Sequence, residues 1–229
     1  MAEGLVNCGE ITELGRKDAE FIVIFLHGLS STGKSFLPVA EYLLRKLGDS
    51  WRFILPTAPT VKLTLSASSV PAWFDIRNQD LTKDQDGEGI LRSSKFTQSL
   101  IHSLITGGVK PGHIFVGGFS QGGLIAADAV LTGSDRIGGV FSLSSLIADV
   151  SEQRFSGLEI PVFIAVGNAD PLIPGIKAQI DNQLLRRHCI QTDFRIYDQM
   201  KHEMKSGELN DLAAWLLAQA GRNKIRRRT

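Results

Sequence analysis

The fold is decided by residues 113–131, HIFVGGFSQGGLIAADAVL. Residues 113–117 form a short, largely apolar run that predicts a buried strand. The glycine-rich turn GGFSQGG follows, and residues 121–131 then predict a helix. A buried strand that leads through a tight turn into a helix is the building unit of a parallel sheet.

The same alternation continues on both sides of this stretch. Strands are predicted at residues 21–26, 52–55, 139–143, 161–166 and 193–197, and helices at residues 35–47, 89–105, 175–188 and 206–220. The Ser- and Thr-rich segment 60–73 predicts a long surface loop. The pattern therefore predicts an α/β fold in a single domain over residues 1–229, with a mostly parallel central sheet and helices on both faces. In such sheets, ligands bind beyond the carboxyl ends of the strands.

Composition excludes several classes of protein. The 229 residues carry 25 Lys and Arg against 24 Asp and Glu, so no overall basic field favours nucleic acid. The two cysteines, Cys8 and Cys189, are too few for a disulfide scaffold or a Cys-rich zinc module. The longest strongly apolar run, residues 21–26, is far shorter than the roughly 20 residues that cross a bilayer, and the first twenty residues lack a signal-peptide core. We therefore expect a cytoplasmic protein that binds no nucleic acid.

Two of the turns between a strand and a helix carry motifs that predict different chemistries. Residues 28–35, GLSSTGKS, match the P-loop pattern G-x-x-x-x-G-K-[ST], in which Lys34 and Ser35 would contact a nucleotide phosphate and its metal ion. Residues 118–122, GFSQG, match G-x-S-x-G, the sharp turn that exposes a nucleophilic serine. The P-loop pattern is the rarer match by chance, so the surrounding sequence has to decide between them.

The surrounding sequence favours the second turn. A P-loop enzyme also needs a carboxylate at the end of another strand, but only the strand at residues 161–166 is followed by one, Asp170. A serine hydrolase of this kind needs an acid and then a histidine after the serine in chain order. Asp170 supplies the acid, and His202 follows the last predicted strand. Ser120, Asp170 and His202 are therefore a candidate catalytic triad.

Several separated motifs also give the chain a resemblance to a known family. In chain order they are His27-Gly28-Leu29, Pro56-Thr57-Ala58-Pro59, Trp73-Phe74-Asp75-Ile76, the Ser120 turn, Leu143-Ser144-Ser145, Gly167-x-x-Asp170-Pro171, and His202 followed by Leu212-x-x-Trp215-Leu216. Over residues 21–217 the chain thus resembles the acyl-protein thioesterases, the small phospholipase/carboxylesterase branch of the α/β-hydrolases. The resemblance implies the α/β-hydrolase fold and a serine hydrolase that cleaves acyl thioesters or esters.

The resemblance further implies a role for each site residue. Ser120 would be the nucleophile, His202 the base and Asp170 the acid that orients the histidine. The backbone N–H groups of Leu29 and Gln121 would form the oxyanion hole. This chemistry needs no cofactor and no metal ion.

Some positions depart from the family pattern. Ser30 and Lys201 stand where the family usually has glycine. The pair His202-Glu203 looks more like a lysophospholipase-like branch, which implies an esterase for short acyl chains more than a depalmitoylase. The choice between thioester and oxyester, and the length of the acyl chain, therefore stay open.

The substrate and partners are predicted only in outline. Leu63 and Trp73, in the predicted loop, would line an apolar acyl groove above Ser120, and Leu172 would line the same groove. The partner would be an acylated protein, a lipid ester or a small ester. The basic run at residues 222–229 predicts a flexible tail and a weak, salt-sensitive contact with anionic membranes. The sequence leaves open whether the chain is a monomer or a homodimer.

Two alternatives come from other functional classes. One is a P-loop nucleotide-binding enzyme that uses Lys34 and Ser35. The other is a catalytically inactive binding protein with a hydrolase fold.

Overall fold

A computed structural model describes residues 8–147, 160–188 and 190–225, with side chains described as far as Arg222. The strands are β1 (Ile11–Gly15), β2 (Phe21–Leu26), β3 (Trp51–Pro56), β4 (Thr60–Lys62), β5 (Ser69–Pro71), β6 (Ile114–Phe119), β7 (Gly139–Leu143), β8 (Val162–Gly167) and β9 (Thr192–Tyr197). The helices are α1 (Leu37–Leu47), α2 (Gly87–Thr106), α3 (Gln121–Thr132), α4 (Gly175–Arg187) and α5 (Ser206–Ile225). Cys189 and residues 226–229 of the predicted tail lie outside the described residues.

Seven of the strands form one sheet in the order β1-β3-β2-β6-β7-β8-β9. Only β1, at one edge, runs antiparallel to its neighbour, β3. The other pairs are parallel, so the loops that follow β2, β6, β8 and β9 all emerge at the same end of the sheet. This is the end at which the sequence predicts a site.

Helices cover both faces of the sheet. Successive side chains of a strand point to opposite faces. Ile24 of β2 accordingly packs in one core with α2, α3 and α4, whereas its neighbour Phe25 packs in another core with α1 and α5. Because both faces are covered, β2, β7 and β8 are buried along their whole length. The predicted mostly parallel sheet with helices on both faces is confirmed.

The structure differs from the sequence prediction in two strand regions. The edge strand β1 was not predicted, because its five residues alternate between exposed and half-buried and contain no apolar run. The predicted loop at residues 60–73 contains a hairpin, in which β4 pairs antiparallel with β5. Strands of three residues are too short to give a periodic signal in the sequence.

None of the described helices is both long enough and apolar enough to cross a bilayer.

Candidate active site

Ser120 occupies the sharp turn between β6 and α3. Its backbone has φ 54° and ψ −123°, a left-handed conformation that is uncommon for a residue with a side chain. Two hydrogen bonds hold it there: the Ser120 N–H donates to the Leu143 carbonyl at 2.9 Å, and the Ser145 hydroxyl donates to the Ser120 carbonyl at 2.6 Å. This strained turn points the hydroxyl out of the sheet.

Two glycines beside the serine are required by close backbone contacts. A Cβ atom at Gly118 would lie 2.2 Å from the carbonyl carbon of Gly122. A Cβ atom at Gly122 would lie 2.3 Å from the carbonyl oxygen of Leu26, on the neighbouring strand. No side chain fits at either position, which explains the G-x-S-x-G pattern in physical terms.

The structure brings the three predicted triad residues together. The Nε2 atom of His202 lies 3.0 Å from the Ser120 hydroxyl oxygen, and its Nδ1 atom lies 2.8 Å from a carboxylate oxygen of Asp170. Asp170 follows β8 and His202 follows β9, so the carboxyl ends of parallel strands supply all three side chains. The hydrogen bonds form a continuous chain from acid to histidine to serine.

The acid and the histidine are both held in place by their surroundings. The Asp170 side chain is fully buried, and its second carboxylate oxygen accepts hydrogen bonds from the N–H groups of Leu172 and Ile173 at 2.8 and 3.0 Å. The ring of Phe119 packs against the imidazole of His202, with 4.8 Å between the ring centroids. These contacts leave the imidazole little freedom to turn away from Ser120.

The predicted oxyanion hole has two available donors. Within the described part of the chain, neither the Leu29 N–H nor the Gln121 N–H donates a hydrogen bond. Gln121 is the first residue of α3, where backbone N–H groups have no partner inside the helix and the helix dipole attracts negative charge. Both amides are therefore free to bind an anion beside Ser120.

His27 fixes the turn that carries Leu29. The Ala58 N–H donates to its Nε2 atom at 2.9 Å, so Nε2 carries no proton. The proton must then be on Nδ1, which donates to the Gly28 carbonyl at 2.7 Å. Burial lowers the pKa of His27 and so favours this neutral form. His27 is thus part of the scaffold that supports Leu29.

The side chain of Gln121 has a role that sequence reasoning missed. Its amide oxygen accepts from the Trp73 N–H at 3.1 Å, and its amide nitrogen donates to the Phe74 carbonyl at 3.0 Å. The indole of Trp73 in turn donates to the His27 carbonyl at 2.7 Å. The motifs around Trp73 and Gln121 were visible in the sequence, but nothing there indicated that they bond to each other.

A cleft opens beside Ser120, which forms part of its lining. One wall is formed by residues 74–78, 81 and 83–85, and the other wall includes Leu124, Leu146 and Ile173. Sequence reasoning missed the first wall, which lies between the Trp73-Phe74 motif and the start of α2. The position of this wall depends on tertiary hydrogen bonds that leave no local signal.

The three residues predicted to bind substrate lie elsewhere. Leu63 and Trp73 are 5% and 2% exposed and are packed in the protein interior, and neither of them lines the cleft. Leu172 is 53% exposed and is also absent from the lining, although its neighbour Ile173 contributes to it. The cleft beside Ser120 is therefore built mainly from residues after the predicted loop.

The P-loop-like turn does not present a ring of free amides. Hydrogen bonds within the chain already occupy the N–H groups of Ser30, Ser31, Thr32, Gly33 and Ser35. The Lys34 side chain is exposed, and the Ser35 hydroxyl bonds to Thr32 of the same turn. A P-loop needs these groups for phosphate and its metal ion. The geometry thus speaks against the nucleotide-binding alternative.

A metal centre would need several His, Cys, Asp or Glu side chains close together. Among the described residues, no three such side chains cluster so that they could hold a metal ion.

Comparison with known proteins identifies the family. A family model described as phospholipase/carboxylesterase matches residues 7–219. The chain belongs to this family. Acyl-protein thioesterase 1 of Gibberella zeae is 32% identical over 210 residues, which are 86% of this chain and 89% of the relative. Acyl-protein thioesterase 1 of Saccharomyces cerevisiae is 34% identical over 208 residues, 85% and 90% of the two chains.

Solved structures confirm the fold of this family member. Arabidopsis thaliana SOBER1 superposes with a TM-score of 0.83 at 22% identity, over 88% of this chain and 100% of that one. Zea mays acyl-protein thioesterase 2 superposes with a TM-score of 0.76 at 23% identity, over 92% and 99% of the two chains. The predicted α/β-hydrolase fold and the family resemblance are confirmed. The chain is a serine hydrolase that acts on esters or thioesters.

One relative has a different description. A probable inactive carboxylesterase of Oryza sativa is 32% identical over 221 residues, which are 90% of this chain and 89% of the relative. Because this relative is described as inactive, the geometry around Ser120 is the observation that bears most directly on catalysis.

Proposed function

We propose that this family member cleaves acyl thioesters and esters through an acyl-enzyme, with Ser120 as nucleophile, His202 as base and Asp170 as the orienting acid. The observation that carries the proposal is the continuous pair of hydrogen bonds, 3.0 Å from Ser120 to His202 and 2.8 Å from His202 to Asp170. An intact chain of this kind favours an active enzyme over the inactive binding protein.

In the first half-reaction, the Ser120 hydroxyl oxygen attacks the acyl carbonyl carbon while Nε2 of His202 takes its proton. The carbonyl oxygen becomes an oxyanion, which the Leu29 and Gln121 amides would bind. One such donor is typically worth roughly 3–4 kcal/mol of transition-state stabilisation. When the tetrahedral intermediate collapses, the proton on His202 passes to the leaving thiol or alcohol.

In the second half-reaction, water replaces the leaving group. The oxygen of the water attacks the acyl carbon while His202 accepts a proton from the water. His202 then gives this proton to the Ser120 oxygen as the acid leaves. Asp170 keeps the Nδ1 proton in place throughout and stabilises the imidazolium that forms in each half-reaction. The fatty acid and the free serine are the products.

We propose acylated proteins and small acyl esters as the substrates. The acyl chain would lie in the cleft beside Ser120, along the apolar side chains of Phe74, Leu124 and Ile173. The relatives from Gibberella zeae and Saccharomyces cerevisiae are both described as acyl-protein thioesterases, which supports a thioester of a protein. The cytoplasmic location and the weak membrane contact of the basic tail stay predictions from the sequence.

The test is hydrolysis of p-nitrophenyl esters from acetate to palmitate. Ser120→Ala should lower kcat by roughly 10⁴- to 10⁶-fold, while Ser99→Ala, on the exposed face of α2, serves as the matched control and should keep full activity. The preferred ester length then separates a short-chain esterase from a depalmitoylase. Equal activity of Ser120→Ala and the native enzyme would refute the proposed nucleophile.

A further inference from the structure

A second cleft lies at the opposite end of the sheet from Ser120. It opens where β8 and β9 begin and where α4 and α5 end. Its lining consists of Pro161, Val162, Arg186, Gln191, Thr192, Asp193, Phe194, Trp215, Gln219 and Arg222. The proposed catalytic machinery contributes no residue to it.

The charge of this cleft is positive. Arg186 and Arg222 both line it, and within the described part of the chain neither forms an ion pair with a carboxylate. The acidic residue of the lining, Asp193, is already paired with Arg195, with two contacts at 2.9 and 3.3 Å. Two guanidinium groups are thus left without a counter-charge.

One of these guanidinium groups is held in a fixed orientation. The Nε atom of Arg186 donates to the Thr192 hydroxyl at 3.0 Å, and that hydroxyl donates to the Asn182 side chain at 2.7 Å. The two terminal nitrogens of Arg186 keep their donors for a ligand. A planar, pre-oriented fork of this kind suits the oxygens of a phosphate or carboxylate group.

An amide without a protein partner also lines this cleft. The side chain of Gln219 forms no hydrogen bond among the described residues. Its amide atoms remain accessible in the cleft, so they can donate to or accept from a ligand. Trp215, Gln219 and Arg222 stand at positions i, i+4 and i+7 of α5 and therefore share one helix face. That face presents an aromatic ring, an amide and a cation to the same space.

We propose that this cleft binds a phosphate monoester, with the phosphate between Arg186 and Arg222 and a polar group of the ligand on the Gln219 amide. Phosphate is favoured over a carboxylate because two arginines without a described carboxylate partner match a dianion. The half-buried side chain of Phe194 would contact the body of the ligand. A soluble metabolite and a lipid headgroup share this chemistry.

Calorimetric titration with phenyl phosphate tests the site. All proteins carry Ser120→Ala, so the result does not depend on whether the proposed catalytic function is correct. The otherwise native chain should bind one equivalent saturably, the double variant Arg186→Gln/Arg222→Gln should bind at least tenfold more weakly, and phenol should not bind. Arg187→Gln is the matched control, because Arg187 ends the same helix but does not line the cleft, and its affinity should stay within twofold.

Arg222 is exposed, so Arg222→Gln should melt at the same temperature as the parent protein. This single variant should still weaken binding about threefold, which separates loss of the site from loss of the fold. Vesicles of phosphatidylcholine with phosphatidic acid then separate the two ligand sources. Vesicle binding lost in the double variant but kept in Arg187→Gln indicates a lipid headgroup, and binding of phenyl phosphate without vesicle binding indicates a soluble ligand. No saturable binding, or an equal loss in Arg187→Gln, overturns the proposal.

Discussion

Two glycine-rich turns follow neighbouring strands of the same sheet, and each opens a helix. The turn after β2 matches the P-loop pattern, and the turn after β6 matches the nucleophile pattern. In the first turn the amides from Ser30 to Gly33 donate to groups of the chain itself, and the unbonded Leu29 N–H is a proposed oxyanion donor rather than part of a phosphate cradle. In the second turn Ser120 is held at a positive φ, and the Gln121 N–H that follows it remains unbonded among the described residues. The hydrogen-bond partners of a turn thus predict its chemistry better than its match to a pattern does.

The largest expected difference comes from two substitutions, one for each predicted chemistry: His202, the partner of Ser120, and Lys34 of the P-loop pattern. His202→Gln should lower kcat by roughly 10⁴-fold, because among the described residues only His202 bonds to the Ser120 hydroxyl oxygen and could accept its proton. Lys34→Ala should leave kcat and KM within twofold, because its side chain is exposed and lies outside the proposed triad and oxyanion hole. Ester hydrolysis measures both. A large loss of activity in Lys34→Ala would show that the Lys34 side chain takes part in catalysis.

A second prediction concerns the close backbone contact at Gly122 in the second turn. Gly122→Ala should destabilise the fold by about 3 kcal/mol, because its Cβ would lie 2.3 Å from a carbonyl oxygen of β2. Gly175→Ala is the matched control, because nothing lies within 4 Å of a Cβ atom there. Denaturant unfolding of both variants checks this. If the two glycine substitutions change stability equally, the close contact across the turn is not required.

The smallest expected effect concerns α5, the helix that follows His202. Burial raises the pKa of Glu208 to about 8, from a model-peptide value of 4.5. The folded state therefore holds a proton that the unfolded state releases, so this group destabilises the fold progressively as pH rises from about 4.5 to 8. Glu208→Gln should match the native protein at pH 4 and exceed its stability by about 2 kcal/mol at pH 6. Thermal unfolding at both pH values measures the difference, and equal melting shifts at pH 4 and 6 would contradict it.

Much of the fold could be predicted from the sequence because burial leaves a local signal. The strand β8 is an unbroken apolar run, which both faces of a covered sheet require. The candidate triad could be predicted for a related reason, since Asp170 and His202 each follow a strand and the carboxyl ends of parallel strands meet at one end of the sheet. The edge strand β1 has no such run. It pairs with β3 alone, and its side chains are exposed or half-buried.

The cleft could not be predicted because tertiary contacts build its wall. The Asp86 carboxylate accepts from the Asp75 N–H at 3.0 Å and from Arg77 at 2.8 Å, and it also caps α2 through Gly89. These bonds fold the segment after Trp73 towards Ser120. In the sequence the same residues form an ordinary polar stretch, so the expected groove was assigned to Leu63 and Trp73.

Covalent labelling tests the central claim most directly. A fluorophosphonate reacts when an activated serine oxygen attacks its phosphorus and fluoride leaves, so the phosphonyl group stays on that oxygen as a stable ester. Mass spectrometry of the digested enzyme should find the adduct on Ser120, no adduct in Ser120→Ala, and strongly slowed labelling in His202→Gln. Labelling of a different serine, or an enzyme that hydrolyses esters without labelling at Ser120, would contradict the account.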